Sequence, residues 1–379
     1  MPPLPPDRST GPSDRFARLR GSVPPQPYTA RKITALTANP ACGRRAVLDA
    51  AGVDKAKLAT RIGYQPRFGQ SPFALARAHA FEALVKWGSY AELIRLMREE
   101  LSAPVAEAGV ADLGDVAGNT SLAVRELETR HLVGRIAAGD AERLILDRPV
   151  LTLEVAGRTA FLEPDAITHR IDGQFYVVSI KSFAAIDGQA DPMAVAEAAK
   201  QAAVHVLALR RAFEAAELNQ DLIAHRFLLV CPKDFSNRPY GRLVDVRQEL
   251  DTLAFQLERL RRAEDIAALL PAAATFDIEA APAHLIDSLD VLDATYGPAC
   301  LSFCEMARYC RDEATACASP ARLGSAVRNA MPGIDSTRTA LSHLDGTTAP
   351  SGAEAAAVDL LRAGERLRRL RRLRRGDAA

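Results

Sequence analysis

The feature that most constrains this chain is the stretch LEPDAITHRIDGQFYVVSIKSF, residues 162–183. Ala166, Ile167 and Ile171 lead to Asp172-Gly173, a dipeptide whose tolerance of positive φ suits a two-residue hairpin turn, and Phe175 to Ile180 then form an apolar, β-branched run. A strand, a tight turn and a second strand are therefore predicted. Residues two apart on a strand share a face, so Ser179 and Lys181 point the same way, and the hairpin sets the Asp165 carboxylate opposite the Lys181 ammonium. Metal-dependent phosphodiester hydrolysis needs such a pair: the acid holds a divalent cation, and the lysine orients water or offsets charge growing on the phosphate.

The flanking segments supply a context. Asp191-Pro192 is a helix-opening signal, and the helix that follows is largely Ala, Val and Leu, as expected of one packed on a sheet. Glu197, Gln201 and His205 recur every four residues and form one polar stripe on it, suited to lining a cleft. Ahead of the hairpin, residues 71–100 carry apolar residues at helical spacing with a break near Gly88, and His79 and Glu82 are neighbours on one face. Residues 103–147 read as helical, with loops at 114–120 and 139–140. Residues 149–155 read as a strand that turns at Ala156-Gly157 into the motif hairpin, giving three antiparallel strands. Residues 223–232, nearly all apolar, read as a buried strand with Cys231 in the core; 240–246 read as another strand and 251–270 as an amphipathic helix. The expected class is α/β, a central mixed sheet flanked by helices.

With 48 Lys and Arg against 47 Asp and Glu, any basic surface must be local. No run of about 18 apolar residues exists, and the first residues lack the apolar core of a signal peptide, so a cytoplasmic protein with no membrane contact is expected. Its six cysteines should then be reduced, and the four within residues 300–317 suggest metal rather than disulfide. Residues 1–27, rich in Pro, Ser, Gly and Arg, read as a disordered arm, 28–320 as the main domain, and 321–379 as a linker and a basic helix. Leu360, Leu361, Leu367, Leu370 and Leu373 mark an apolar edge on that helix, whose arginines suit phosphate backbones, anionic lipid or an acidic partner.

Pro164-Asp165 with Ser179-Ile180-Lys181 resembles the motif of the PD-(D/E)XK nucleases, and the helix bearing Gln201 is similar to that of the RecB-like branch. RAHAFEAL, with His79, resembles the helix that gives that branch a metal-binding histidine. A lone Cys42 after Pro40, followed by Gly43, Arg44 and Arg45, resembles the opening of the RecB-like nucleases that carry an iron–sulfur cluster, and Cys304 and Cys310 resemble the last two cluster ligands. The order of these motifs is also similar to that of the CRISPR-associated RecB-like exonucleases and the AddB nuclease module. Four positions depart from the pattern: Ser179 replaces the usual second acid, His205 a tyrosine, Gly43 a proline, and three residues rather than two separate Cys300 from Cys304.

The resemblance implies a PD-(D/E)XK nuclease-like core with a helical N-terminal and a cysteine-bearing C-terminal segment. It implies magnesium- or manganese-dependent cleavage of DNA, single-stranded or with free ends, in repair or in a defence complex against phage or plasmid. His79, Asp165, the Ile180 carbonyl and an acid from Glu197 or Glu163 would hold the metal, Lys181 would position water, and Gln201 would fix that water or the adjacent backbone. A 4Fe-4S cluster would be held by Cys42, Cys300, Cys304 and Cys310, with Cys317 as a spare and a structural zinc as the alternative. Two other readings stand beside this one: a catalytically inactive DNA-binding module, and a cysteine-rich zinc-binding scaffold.

Overall fold

The computed structural model describes residues 12–66, 72–102, 105, 107–139, 144–234, 236–297, 300–323 and 325–374. The chain enters through helices α1 (Pro12–Arg20), α2 (Ala30–Thr37), α3 (Gly43–Ala50) and α4 (Lys55–Arg61). The arm expected to be disordered is thus folded from residue 12; its first eleven residues lie outside those described. Two features anchor it. Phe16 and Leu19 are buried, and Gln26 donates its N–H to the Gly52 carbonyl at 2.8 Å. Gly52 has φ +68°, and a Cβ there would stand 2.8 Å from Pro25, so only glycine lets the two segments cross.

Helix α5 (Pro72–Leu101) is interrupted where Gly88 led one to expect it. Trp87 has an extended ψ of 148°, and Gly88, Ser89 and Tyr90 follow at φ 64°, 56° and 63°. Left-handed backbone costs about 1–2 kcal/mol for each non-glycine residue. Burial of the Tyr90 ring, 1% exposed, acts against that cost.

The next segment departs from expectation. Instead of helix throughout, it holds β1 (Gly109–Asp112), α6 (Leu122–Ala138) and β2 (Leu144–Asp147). Next come β3 (Leu151–Val155) and β4 (Arg158–Leu162), then β5 (Ala166–Ile167) and β6 (Val177–Ile180), the two strands of the motif. The three-stranded meander is not formed. β3 and β4 make a two-stranded sheet of their own, because the free edge of β5 is taken by β2, with Leu146 opposite Ile167 and Asp147 opposite Ala166.

A small hairpin, β7 (Ala185–Ile186) with β8 (Gln189–Ala190), precedes α7 (Pro192–Ala215), which is capped by Asp191 accepting from the Ala194 N–H. β9 (Arg226–Pro232), β10 (Pro239–Asp245) and α8 (Arg247–Glu258) complete the central layer. The main sheet is mixed and six-stranded, in the order β1-β2-β5-β6-β9-β10. Strand alternation divides its faces: Val177 and Leu229 pack with Ala199, Ala203 and Val206 of α7, whereas Val178, Leu228 and Val230 pack with Tyr90, Leu93 and Met97 of α5.

Helices α9 (Ala263–Ala268), α10 (Pro282–Asp290), α11 (Cys300–Phe303) and α12 (Ala307–Ala316) return the chain to α3. The stretch expected to be a linker contains α13 (Ser325–Asn329), α14 (Thr337–Leu344) and the basic helix α15 (Ala355–Arg374), with a small core of Ile334, Ala340, Ala357 and Val358. Among the described residues no helix is long and apolar enough to cross a membrane.

Candidate active site

Strand directions gather the chemistry at one edge of the sheet. β1 and β2 are parallel, β5 is antiparallel to both β2 and β6, and β9 is parallel to β6. The last residues of β1, β2 and β6 and the residue before β5 therefore lie along the same edge: Asp112, Asp147, Ile180 with Lys181, and Asp165.

Asp165 is the centre of this row. Its Oδ2 accepts the backbone N–H of Ile180 at 2.6 Å, and the Arg148 N–H donates to its carbonyl at 3.3 Å. Burial pushes its carboxyl above the ordinary carboxylate range; Lys181 and the Ile180 N–H oppose the shift, Glu82 adds to it and Lys86 opposes it. Two cations thus act on Asp165, one on a strand end and one on α5.

On the α7 side, Lys181 Nζ donates to Gln201 Oε1 at 3.1 Å, and Gln201 Nε2 donates to Glu197 Oε1 at 3.1 Å. The polar stripe on α7 is thereby joined to the motif lysine. His205, a turn further on, is pushed down to about 3 by burial and by the charge of Lys181, so its imidazole is neutral. Ser179 is buried and registered against Leu229, and no acid replaces it on its strand.

On the α5 side, no motif announced the main contact. Lys86 Nζ bridges Glu82 Oε1 at 2.6 Å and Asp147 Oδ1 at 2.8 Å. Burial, then the nearby Asp147 carboxylate, raises the Tyr90 phenol well above its ordinary value. Asp112 is occupied by Arg148, whose Nη2 lies 2.7 Å and 2.8 Å from its two carboxylate oxygens. Glu82, Lys86, Asp147 and Tyr90 are the residues sequence reasoning missed. Only Glu82 had a signal, its helical proximity to His79.

Two expected ligands stand apart. His79 is exposed on α5, and on that helix Glu82 and Lys86 are the groups that act on Asp165. Glu163 is exposed, lies past the end of β4, and is engaged by Arg125 Nη2 at 2.6 Å, a guanidinium that also donates to the carbonyls of Leu113 and Arg148. Gln201 lies against Lys181, and Glu197 reaches it only through Gln201.

A second centre lies where α3 meets α11 and α12. Cys42, Cys300 and Cys310 are buried and Cys304 partly so, whereas Cys317 is exposed at the end of α12. Asn39 links two of them: its carbonyl accepts from the Cys42 N–H at 3.1 Å, and its Nδ2 lies 3.6 Å from Cys300 Sγ. Burial pushes the Cys310 thiol up to about 12, and Cys304 and Cys42 are close enough to act on it; Cys304 is raised to about 11, mainly by burial, with Arg45 and Lys55 opposing.

Cations surround these thiols. Arg44 Nη1 donates to Cys310 Sγ at 3.2 Å and to Glu313 Oε2 at 2.7 Å, while its Nη2 donates to the Leu289 carbonyl at 2.8 Å. Arg45 pairs with Asp49 at 3.2 Å, and Lys55 with Asp49 and, at 3.8 Å, Glu305. Soft sulfur donors beside two guanidinium groups suit a thiolate centre of net negative charge. Among the described residues, no three His, Cys, Asp or Glu side chains already stand close enough to hold a metal ion, at this centre or at the sheet edge. A metal ion bound there would replace the thiol protons, which leave to solvent, so its affinity would rise with pH.

No protein-family model matches the chain, and no curated protein matches it. Solved structures similar to it in part include the following two. One, from Eubacterium rectale, is provisionally described as an exonuclease; it is 11% identical with a TM-score of 0.31, and the match covers 69% of this chain and 87% of that one. The other is described only as SSO0001, is 13% identical with a TM-score of 0.19, and is matched over 45% of this chain and 86% of its own. Likeness this distant carries no weight for fold or site.

Proposed function

We propose that this protein is a metal-dependent deoxyribonuclease of the RecB-like type, with Asp165, Lys181, Gln201 and Glu197 at its reacting centre and a cysteine-held metal centre that is structural. The observation that carries the reading is the juxtaposition of Asp165 and Lys181 at one sheet edge, with Lys181 held by Gln201 at 3.1 Å. The amide oxygen of Gln201 fixes where the lysine head points. From that position Lys181 orients a water and offsets charge on a phosphoryl oxygen.

Magnesium or manganese, when bound, would supply Lewis acidity at the scissile phosphate. The donors present are hard carboxylates, which fit such a cation: Asp165 as the anchor, with the second acid from Glu197 on the Gln201 chain or from Glu82 on the Lys86 chain. Cys42, Cys300, Cys304 and Cys310 would hold a 4Fe-4S cluster, or a zinc ion, between the two ends of the domain; Cys317 is left out by its exposure. A cytoplasmic role in repair or defence, on DNA with free ends, follows from the resemblance.

One observation favours the inactive alternative. Lys86 already engages both Glu82 and Asp147, and Ser179 offers no replacement acid, so a DNA-binding module that never loads metal fits these contacts. End-labelled single- and double-stranded DNA, incubated with manganese, with magnesium or with chelator, separates the two. Cleavage that disappears in chelator and in Lys181→Ala supports the nuclease; binding without cleavage, in protein whose cysteine centre is shown to be loaded, supports the module.

A further inference from the structure

Trp87 is the single tryptophan of the chain, and it is 82% exposed. Its position is imposed: the left-handed turn of residues 88–90 drives Tyr90 into the core and leaves Trp87 in solvent, directly after Lys86, which bridges Glu82 and Asp147. The ring borders a groove of about 730 Å³ lined by Leu84, Glu92, Asn237, Arg238 and Pro239. Pro239 opens β10 opposite Pro232 at the end of β9, so the groove lies along the same sheet edge as Asp165 and Lys181. The charges facing it are unequal. Glu92 is engaged by Arg95 at 2.8 Å, whereas Arg238 in the lining, and Lys233 outside it on the same exposed β9–β10 connection, have no ion-pair partner among the described residues.

We infer that this groove carries a single nucleic-acid strand to the active site, with one base stacked on the Trp87 ring and the phosphates following Arg238 and Lys233. This rests on the nuclease reading and adds to it how an unpaired strand is held. An exposed ring beside free cations suits it: a base offers its π-face whatever its sequence, and a duplex keeps that face covered. Leu84, 40% exposed, and Phe73, 86% exposed, extend the apolar strip along α5, the feature that would instead serve a second copy of this chain.

The test uses full-length protein in chelator, which prevents cleavage, and a dye-labelled oligothymidylate of about 15 residues, a length near the upper end of known single-strand sites. Because Trp87 is the only tryptophan, its emission reports the groove alone. Expected are quenching as the strand binds, an affinity about tenfold or more weaker in Trp87→Ala, most of it restored in Trp87→Phe, and a shallower salt dependence in Arg238→Ala. Binding by anisotropy with unchanged emission, and equal affinity in Trp87→Ala, overturns the inference and leaves DNA binding standing. A blue shift with rising protein concentration, with a matching change in sedimentation and no strand bound, assigns the strip to a second copy and overturns it. Absence of any strand binding overturns it together with the reading beneath it.

Discussion

The Asp165 carboxylate accepts the backbone N–H of Ile180, fifteen residues further along the chain, at 2.6 Å. This bond ties the residue before β5 to the end of β6 and fixes where the acid sits relative to Lys181. It also has a thermodynamic signature. Burial raises the Asp165 carboxyl above its unfolded value near 3.8. The folded state therefore keeps that proton to higher pH than the unfolded chain, and the contribution to stability, fully present below 3.8, is lost as pH rises through the folded value.

Asp165→Asn, whose amide oxygen can still accept from Ile180, is accordingly expected to abolish cleavage yet melt above the wild type at pH 7. The gap should close as the pH approaches 3.8, where Asp165 is itself protonated. Thermal melts across pH, with cleavage assays in parallel, check both halves. An Asp165→Asn protein that is less stable at neutral pH would mean that the carboxylate is held by more than it costs.

Lys181→Ala should lower cleavage about 100-fold or more, the range of a positioned proton-transfer or charge-offsetting group. Gln201→Ala removes only the partner that orients the ammonium at 3.1 Å. A loss of about tenfold is expected there. Single-turnover rates on end-labelled DNA distinguish the two. Equal losses would place Gln201 on the substrate and not behind Lys181.

The two candidate second acids can be separated from the excluded one. Glu163→Gln should leave cleavage within about twofold, because its partner is Arg125 and not the site, and should cost stability up to about 1 kcal/mol. Whichever of Glu82→Gln and Glu197→Gln abolishes metal-dependent cleavage identifies the acid. Denaturant melts of the same proteins control for folding. Loss of cleavage in folded Glu163→Gln would reverse the assignment.

For the cysteine centre, anaerobically purified protein is expected to contain iron, with visible absorption, or zinc. Cys42→Ser and Cys310→Ser should each lose most of the metal and melt lower, whereas Cys317→Ser should match the wild type in both, since Cys317 is exposed at the end of α12. Elemental analysis with melting curves is the check. Retention of full metal by Cys310→Ser would remove Cys310 from the ligand set.

His205 predicts an acid limit. Its folded pKa, about 3, lies below its unfolded value of 6.5, so the unfolded chain binds the extra proton first and stability falls as pH drops from 6.5 towards 3. Replacing it by glutamine, which cannot charge, should flatten that limb between about pH 6.5 and 4.5, judged against wild-type melts at the same pH values.

What was legible in the sequence was local or periodic. Asp172-Gly173 marked the turn, Asp191-Pro192 marked the start of α7, and the four-residue spacing of Glu197 and Gln201 marked the face that meets Lys181. What was not legible depends on pairing between distant segments. β1 and β2, four residues each, are too short to display a period, and their strand identity comes from each other and from β5. That also displaced β3 and β4 from the main sheet. Lys86 and Asp147 are 61 positions apart, and nothing near either residue announces the bridge.

The buried attachment of Arg44 to the Leu289 carbonyl and to Glu313 has a consequence during synthesis. Its partners lie 245 and 269 residues downstream. At about 5–20 residues per second, a ribosome delivers them about 12 to 54 s after Arg44 itself. Until then Arg44 has neither its carbonyl nor its carboxylate, although α7 and α9, against which α2 and α3 lie, have already been made. A chain stalled before residue 289 therefore has α2 and α3 against α7 and α9 but one guanidinium with no partner beside it, a defect that the last helices of the domain remove.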